Sequence, residues 1–515
     1  MQFLRSRRFL VGFGSLVLFT GLAGDAFRNA FSWYGYGVIC LVVVATSVAI
    51  LIVHRGDIRF ARLPRSLLAF LGLALVSIAW SFYPGASALG VFAQVITSTV
   101  ALATVLPLTR DELLRAFGHT LRIIIVLSLV FELFVAFVVR TPVFPVWVPE
   151  ESRVNPPQLL YWSRNLLLEG DKIQGIVGSS TLLGMIALVA LITFGVQSAQ
   201  SWNATAANPP RVAPAVSAAP AGPAVPDARV APAASVAPAV PAAGRFGVPP
   251  RIRGLLWVGL AVLVLALTRS ATVNVAAAGV AAVLAAILLV RATSTPSGRR
   301  LAFGAILVGI GTIVTVAYLL RGPILNALGK SDTLTGRQGI WDAVIGLAQQ
   351  RPVFGWGWVS FWPPWVKPFD DLIERGGIIQ LHAHEAWLDV WLQLGILGLV
   401  IFGFLVLTTA VRAWLLAIDP VPMPAGRTGA LSATIRGGRG RYSATTLFAP
   451  LLLTAMLVQS LAESRILIEG GWIMLVILAV STKLATLGQV APSVRGVSPS
   501  GSAGGSAVPA AGPLE

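Results

Sequence analysis

Long apolar runs, separated by short charged stretches, dominate the chain and leave few folds open to it. A helix needs about 20 apolar residues to cross a bilayer, within a range of roughly 17–25. Twelve runs qualify: 9–24, 31–53, 66–82, 86–106, 121–139, 176–197, 254–268, 273–290, 301–320, 387–411, 445–462 and 471–489. Only 11% of the residues are charged, against about 25% in an ordinary soluble domain. So small a share cannot cover a water-soluble body of 515 residues, which excludes a soluble enzyme. The expected fold is an all-α polytopic membrane protein with about 12 transmembrane helices.

A net charge of +17 would suggest a nucleic-acid partner in a soluble protein. Its distribution along this chain points elsewhere. Arg5, Arg7 and Arg8, then Arg55, Arg59, Arg62 and Arg65, and later Arg441 and Arg495, all fall in alternate segments between the runs. Acidic residues fall mostly in the other set. Lys and Arg mark the cytoplasmic side, so both termini are expected inside, with the lipid bilayer rather than nucleic acid as the partner. The single cysteine, Cys40, permits no intrachain disulfide.

Two membrane units are expected, residues 1–197 with six spans and 254–489 with six more. Residues 198–253, rich in Ala and Pro, read as a disordered cytoplasmic linker, and 490–515 as a disordered tail. Two outer loops are long, 140–175 and 321–386, and the second carries Trp, Gly, His and Arg together. Loops of that length are seldom idle.

His54 and His119 sit in short basic inner stretches and read as solvated bystanders. His382 and His384 close the second outer loop in LHAHEAWLDVWLQLGILG, placing His384 at the outer membrane boundary. A neutral imidazole there is suited to accept a hydroxyl proton near neutral pH. The structural alternative is an interfacial histidine paired with Glu385 or Asp389. A metal reading of His-x-His would need Asp370, Asp371 or Glu374 as further ligands, and lacks a metal-ligand spacing pattern. No metal or cofactor is expected.

Arginines form the second informative set. Arg269 ends the seventh span in LALTRSATVNV, and Arg337 lies in GRQGIWDAV with Trp341 one turn later. A permanently charged planar guanidinium suits bidentate phosphate binding; snorkelling to lipid phosphate is the structural alternative for Arg269. Arg321, Arg351, Arg375 and Arg465 are further outer candidates, Arg465 with Glu463 as a possible ion-pair partner. The stretch PVFGWGWVSFWPPW supplies Trp356, Trp358, Phe361, Trp362 and Trp365, either as faces for sugar rings or as an interfacial belt. Glu132, alone within the fifth span, is a functional candidate or the partner of a neighbouring Arg. No GxxxxGK[ST] motif occurs, which argues against an ATP-driven pump.

Taken in order, GRQGIW, RPVFGWGW and AHEAWLDVWLQLGILG resemble the signature of the O-antigen ligase and O-antigen polymerase superfamily. The residues carrying the likeness are Gly336, Arg337 and Trp341; Pro352, Gly355 and Gly357; then His384, Leu388, Gly395 and Gly398. The resemblance implies a metal-independent, inverting glycosyltransferase of the GT-C type in the cytoplasmic membrane. Its donor would be a polyprenyl-pyrophosphate-linked glycan. Its acceptor would be an envelope glycan, glycolipid or protein hydroxyl on the outer side. It implies His384 as the base, with Arg337 and Arg269 on the pyrophosphate; Arg465, Glu385, Trp341, Trp356 and Trp358 are further site candidates. The family usually has Asn after this His, whereas this chain has Glu385, and the 198–253 insert is atypical. A repeat-unit polymerase of the same superfamily is one competing reading. The other is a lipid-linked glycan flippase, disfavoured because no internal repeat is evident.

Overall fold

The computed structural model describes residues 2–56, 60–154, 156–207, 250–319, 337–375, 378–419 and 442–490. Most of the expected linker, the expected tail beyond 490, and the start of the second outer loop with Arg321 and Gly336 lie outside the described residues.

All twelve apolar runs fold as helices: α1 (Arg7–Leu22), α2 (Gly24–Val53), α3 (Arg65–Val76), α4 (Pro84–Val105), α5 (Arg110–Phe134), α6 (Ser180–Ala207), α7 (Pro250–Thr268), α8 (Ala271–Ala292), α9 (Pro296–Leu319), α11 (Ala386–Ile418), α12 (Phe448–Ser460) and α13 (Glu469–Val490). One further helix, α10 (Arg337–Ala348), lies between α9 and α11. Among the described residues, eight helices are long and apolar enough to cross a membrane: α2, α4, α5, α6, α7, α8, α11 and α13. The protein is thus an all-helical polytopic membrane protein. Its only described strands are β1 (Glu374–Arg375) and β2 (Ile378–Ile379), a short antiparallel pair.

Helix α13 runs through the centre, with every residue from Trp472 to Val480 buried. A helix that is apolar all round has no polar face to turn outward and belongs inside the bundle. It packs on α4 and α11, while α8 packs on α12 and α6 on α7. Helix α5 starts with a capping box, Thr109 and Glu112 satisfying each other's backbone N–H groups.

Glu132, a functional candidate or an arginine's partner by sequence, makes no ion pair among the described residues. The buried carboxylate accepts the N–H groups of Gln174 at 2.8 Å and Gly175 at 2.6 Å, and the Ser163 hydroxyl at 3.2 Å. It pins the first outer loop onto α5, supplying acceptors to backbone groups that a buried loop would otherwise leave unpaired.

Helix α11 is broken at Gly395, whose φ of 67° interrupts the helical backbone. The loop segment 352–357 docks into this break. Ile396 donates to the Pro352 carbonyl at 2.8 Å, Trp356 to Leu392 at 3.0 Å, and Gly357 to Gln393 at 2.9 Å. A Cβ on Gly395 would stand 2.1 Å from the Val353 oxygen, and one on Gly355 would stand 2.5 Å from the Gln393 carbonyl carbon. The glycines of the two motifs therefore serve one backbone-to-backbone contact. A break inside a long apolar helix is stable where protein supplies its hydrogen bonds, as segment 352–357 does here.

Candidate active site

The upper half of α11 begins at Glu385, whose side chain caps it by accepting the Leu388 and Trp387 N–H groups. One residue earlier, His384 has a left-handed backbone with φ 52°. A non-glycine residue holds that conformation only where its surroundings fix it. They do: the His384 N–H donates to His382 Nδ1 at 3.1 Å, Ala383 N–H to Asp389 at 3.0 Å, and Trp341 Nε1 to the Ala383 carbonyl at 3.2 Å. The Ser464 hydroxyl also donates to Asp389, tying the loop between α12 and α13 to the same turn.

These constraints bring three side chains together. Glu463 faces Arg337 at 2.8 Å with one carboxylate oxygen and His384 Nδ1 at 3.2 Å with the other. His384 Nε2 stands 3.1 Å from the Gln380 side chain. Burial by itself would push the Glu463 carboxyl up. The hydrogen bond from His384, and the charges of His384, Arg337 and His382, outweigh burial and hold it below the usual carboxylate range. Burial, followed by the charge of His384, pushes the His382 imidazole down to about 3, so it is a neutral acceptor for the His384 N–H.

His384 and Arg337, nominated independently, meet across one carboxylate. Sequence reasoning missed that carboxylate. Glu463 was expected beside Arg465, but Arg465 faces Glu469 at 3.6 Å and Asp25 at 3.9 Å instead. Those two acids also hold the buried Arg28. Glu385 does not touch the His384 ring: burial raises its carboxyl, opposed by the backbone hydrogen bonds of its cap. The signal available beforehand was an acid in a short loop between two apolar runs, on the same side as the histidine.

Arg269 lies at the end of α7 with a left-handed φ of 45° and an exposed side chain. Helix α8 runs antiparallel to α12, with Gly279 beside Val458, which puts Arg269 at the same end of the bundle as Glu463. No ion pair engages it among the described residues. Trp358 is fully buried, edge-on to Phe70 at 5.3 Å. Trp356 is covered by Arg351 at 4.7 Å and gives its Nε1 proton to the Leu347 carbonyl. Neither ring presents a free face, and both anchor the loop against α10 and α3. Asp370, Asp371 and Glu374 stay outside the cluster. The one His/Cys/Asp/Glu group compact enough for a metal, among the described residues, is His382, His384 and Glu463. Its carboxylate is already committed to Arg337.

A broken helix, with an arginine and a histidine sharing one carboxylate at one end of an apolar bundle, defines a membrane protein with a polar cluster at that end. Residues 254–403, less than a third of the chain, match the family described as O-Antigen ligase. A curated relative, the exopolysaccharide production protein ExoQ of Rhizobium meliloti (strain 1021), is 31% identical over 136 residues. That alignment covers 25% of this chain and 31% of the relative. The match thus spans about a third of the relative's length.

Proposed function

We propose that the protein is a membrane glycosyltransferase that moves a glycan from a polyprenyl pyrophosphate carrier to an acceptor hydroxyl at the outer face of the cytoplasmic membrane. The observation that carries this reading is the pairing of His384 and Arg337 through the two oxygens of Glu463. A proton acceptor and a phosphate-binding cation stand one carboxylate apart in a mostly enclosed site.

The acceptor oxygen attacks the anomeric carbon as its proton passes to His384 Nε2. The bond from that carbon to the phosphate oxygen breaks, and its electron pair leaves on the pyrophosphate. Attack opposite the leaving group inverts the anomeric centre. Glu463 accepts a hydrogen bond from Nδ1–H, and Nε2 is the basic nitrogen once the acceptor hydroxyl replaces the Gln380 side-chain oxygen that stands 3.1 Å from it. Arg337 meets the developing charge in surroundings poor in water, where a fixed cation counts for more than in solution. Arg269, exposed and without an ion-pair partner among the described residues, supplies the second cation from the same end of the bundle. No step requires a metal or cofactor.

Transfer by purified protein in vesicles, with a polyprenyl-pyrophosphate oligosaccharide as donor, tests the reading. His384→Ala is expected to lower the rate by roughly 10²–10⁴-fold, the range of general acid–base catalysis. A folded variant that transfers at the wild-type rate would remove the assignment. The exopolysaccharide role in the relative's name favours a second reading, in which the acceptor is a like repeat unit. A ladder of products, rather than one adduct, would select that polymerase.

A further inference from the structure

We propose that Glu463 is an internal placeholder for the donor's diphosphate, occupying Arg337 before the donor binds and passing wholly to His384 when the diphosphate arrives. The inference rests on the donor assigned above and concerns how the same site is regulated.

The two contacts of the carboxylate are unequal. Its bond to Arg337 is 2.8 Å, within the range of full charge-assisted hydrogen bonds, about 2.7–2.9 Å. Its bond to His384 Nδ1, at 3.2 Å, lies beyond that range. The carboxylate thus stands closer to the guanidinium than to the imidazole, each on its own oxygen. The side chains of Glu463 and Arg337 are only 13% and 20% exposed. An unpaired charge in such a place is costly, so some anion must sit on Arg337 whether or not substrate is present.

The backbone around Glu463 is fixed, so any exchange of partners is confined to its side chain. Its N–H donates to the Gln459 carbonyl at 2.9 Å, and the adjacent Ser464 is tied to Asp389. Arg465, two residues on, is engaged by Glu469 and Asp25 and does not compete for this carboxylate. A diphosphate reaching Arg337 carries more charge than one carboxylate and displaces it. The released carboxylate has His384 as its remaining partner. A shorter hydrogen bond to Nδ1 raises the proton affinity of Nε2, so seating the donor sharpens the base. Glu463 acts through His384 and Arg337, as a positioning residue.

The test uses the full chain in lipid nanodiscs, with inorganic pyrophosphate as the binding probe and transfer kinetics as the second readout. Glu463→Gln keeps the shape and removes the charge. It is expected to bind pyrophosphate and donor roughly tenfold more tightly, with a lower KM, and to lose roughly tenfold or more in kcat, the scale of one charge-assisted hydrogen bond. Glu463→Asp, which keeps the charge on a shorter arm, should shift both quantities in the same directions by less and provides the measurement if the Gln variant does not fold. A lowered kcat with unchanged or weaker pyrophosphate binding, in whichever variant folds, would overturn the placeholder and leave the donor assignment standing. A wild-type protein that neither binds pyrophosphate nor transfers glycan would instead remove the donor assignment and the placeholder with it.

Discussion

Asp389 and Ser464 join the two segments that make the site. The Ser464 hydroxyl and the Ala383 N–H both reach the same buried Asp389 oxygen, so the loop after α12 is held against the turn that carries His384. Neither residue faces the Glu463–Arg337 pair directly. Asp389→Ala should therefore lower transfer by disordering His384, together with a loss of thermal stability. Ser464→Ala removes one hydrogen bond to a buried carboxylate, a cost of about 1.5–3 kcal/mol. It should lower the melting temperature in detergent while leaving donor KM nearly unchanged. A Ser464→Ala protein with wild-type stability would show that the tie carries no weight.

Gly395 and Gly355 should tolerate no side chain. With a Cβ expected 2.1 Å from Val353 oxygen, Gly395→Ala must either expel segment 352–357 from the helix break or mend the helix across it. Loss of folded, monodisperse protein on size-exclusion chromatography is the expected result. Gly346, in α10, is the control: among the described residues, a Cβ added there would meet nothing within 4 Å. Gly346→Ala should be neutral or stabilising by up to about 1 kcal/mol, the ordinary helix preference of Ala over Gly.

The glycine pairing also shows where sequence reading stopped. Each of the twelve apolar runs overlaps a helix, with ends that differ by up to 11 residues at α5, because a span must satisfy its own backbone; eight of those helices are long and apolar enough to cross a membrane among the described residues. Residue type and position single out His384 and Arg337 as candidates, and the structure brings the two together across Glu463. Glu463 itself was not legible: it stands 79 residues from His384 and 126 from Arg337, and the pairing depends on how two loops distant in sequence converge. Trp356 and Trp358 misled in the opposite direction, since an aromatic cluster beside a membrane reads alike whether its rings face sugar, lipid or one another.

Acid should loosen the site before it unfolds the bundle. The His382 imidazole takes a proton near 6.5 when free but only at about 3 in the fold. Between those values the unfolded chain binds the extra proton, so stability falls as pH drops from 6.5 toward 3. Glu463, held below its ordinary 4.5, adds stability above that value and loses it as pH falls through the depressed one. The melting temperature should thus decline in two stages, the first starting near pH 6.5. His382→Asn keeps a side-chain acceptor for the His384 N–H without a titrating ring, and should remove the first stage. An unchanged profile would mean that His382 does not set it.

Glu385 departs from the Asn usual after the histidine in the resembling family, yet its role in this fold is one Asn also performs. Both of its oxygens accept N–H groups at the start of α11, and neither contacts the His384 ring. Asn caps helices about as well as Asp, and truncation of a cap to Ala costs about 0.5–2 kcal/mol. Glu385→Asn should therefore transfer glycan within roughly twofold of wild type, a change of less than about 0.5 kcal/mol in barrier. Glu385→Ala should lower stability by the cap's worth and loosen the turn before it, costing more activity than the Asn variant. Equal activity losses in the two variants would show that the carboxylate contributes charge to the reaction, and that the cap is incidental.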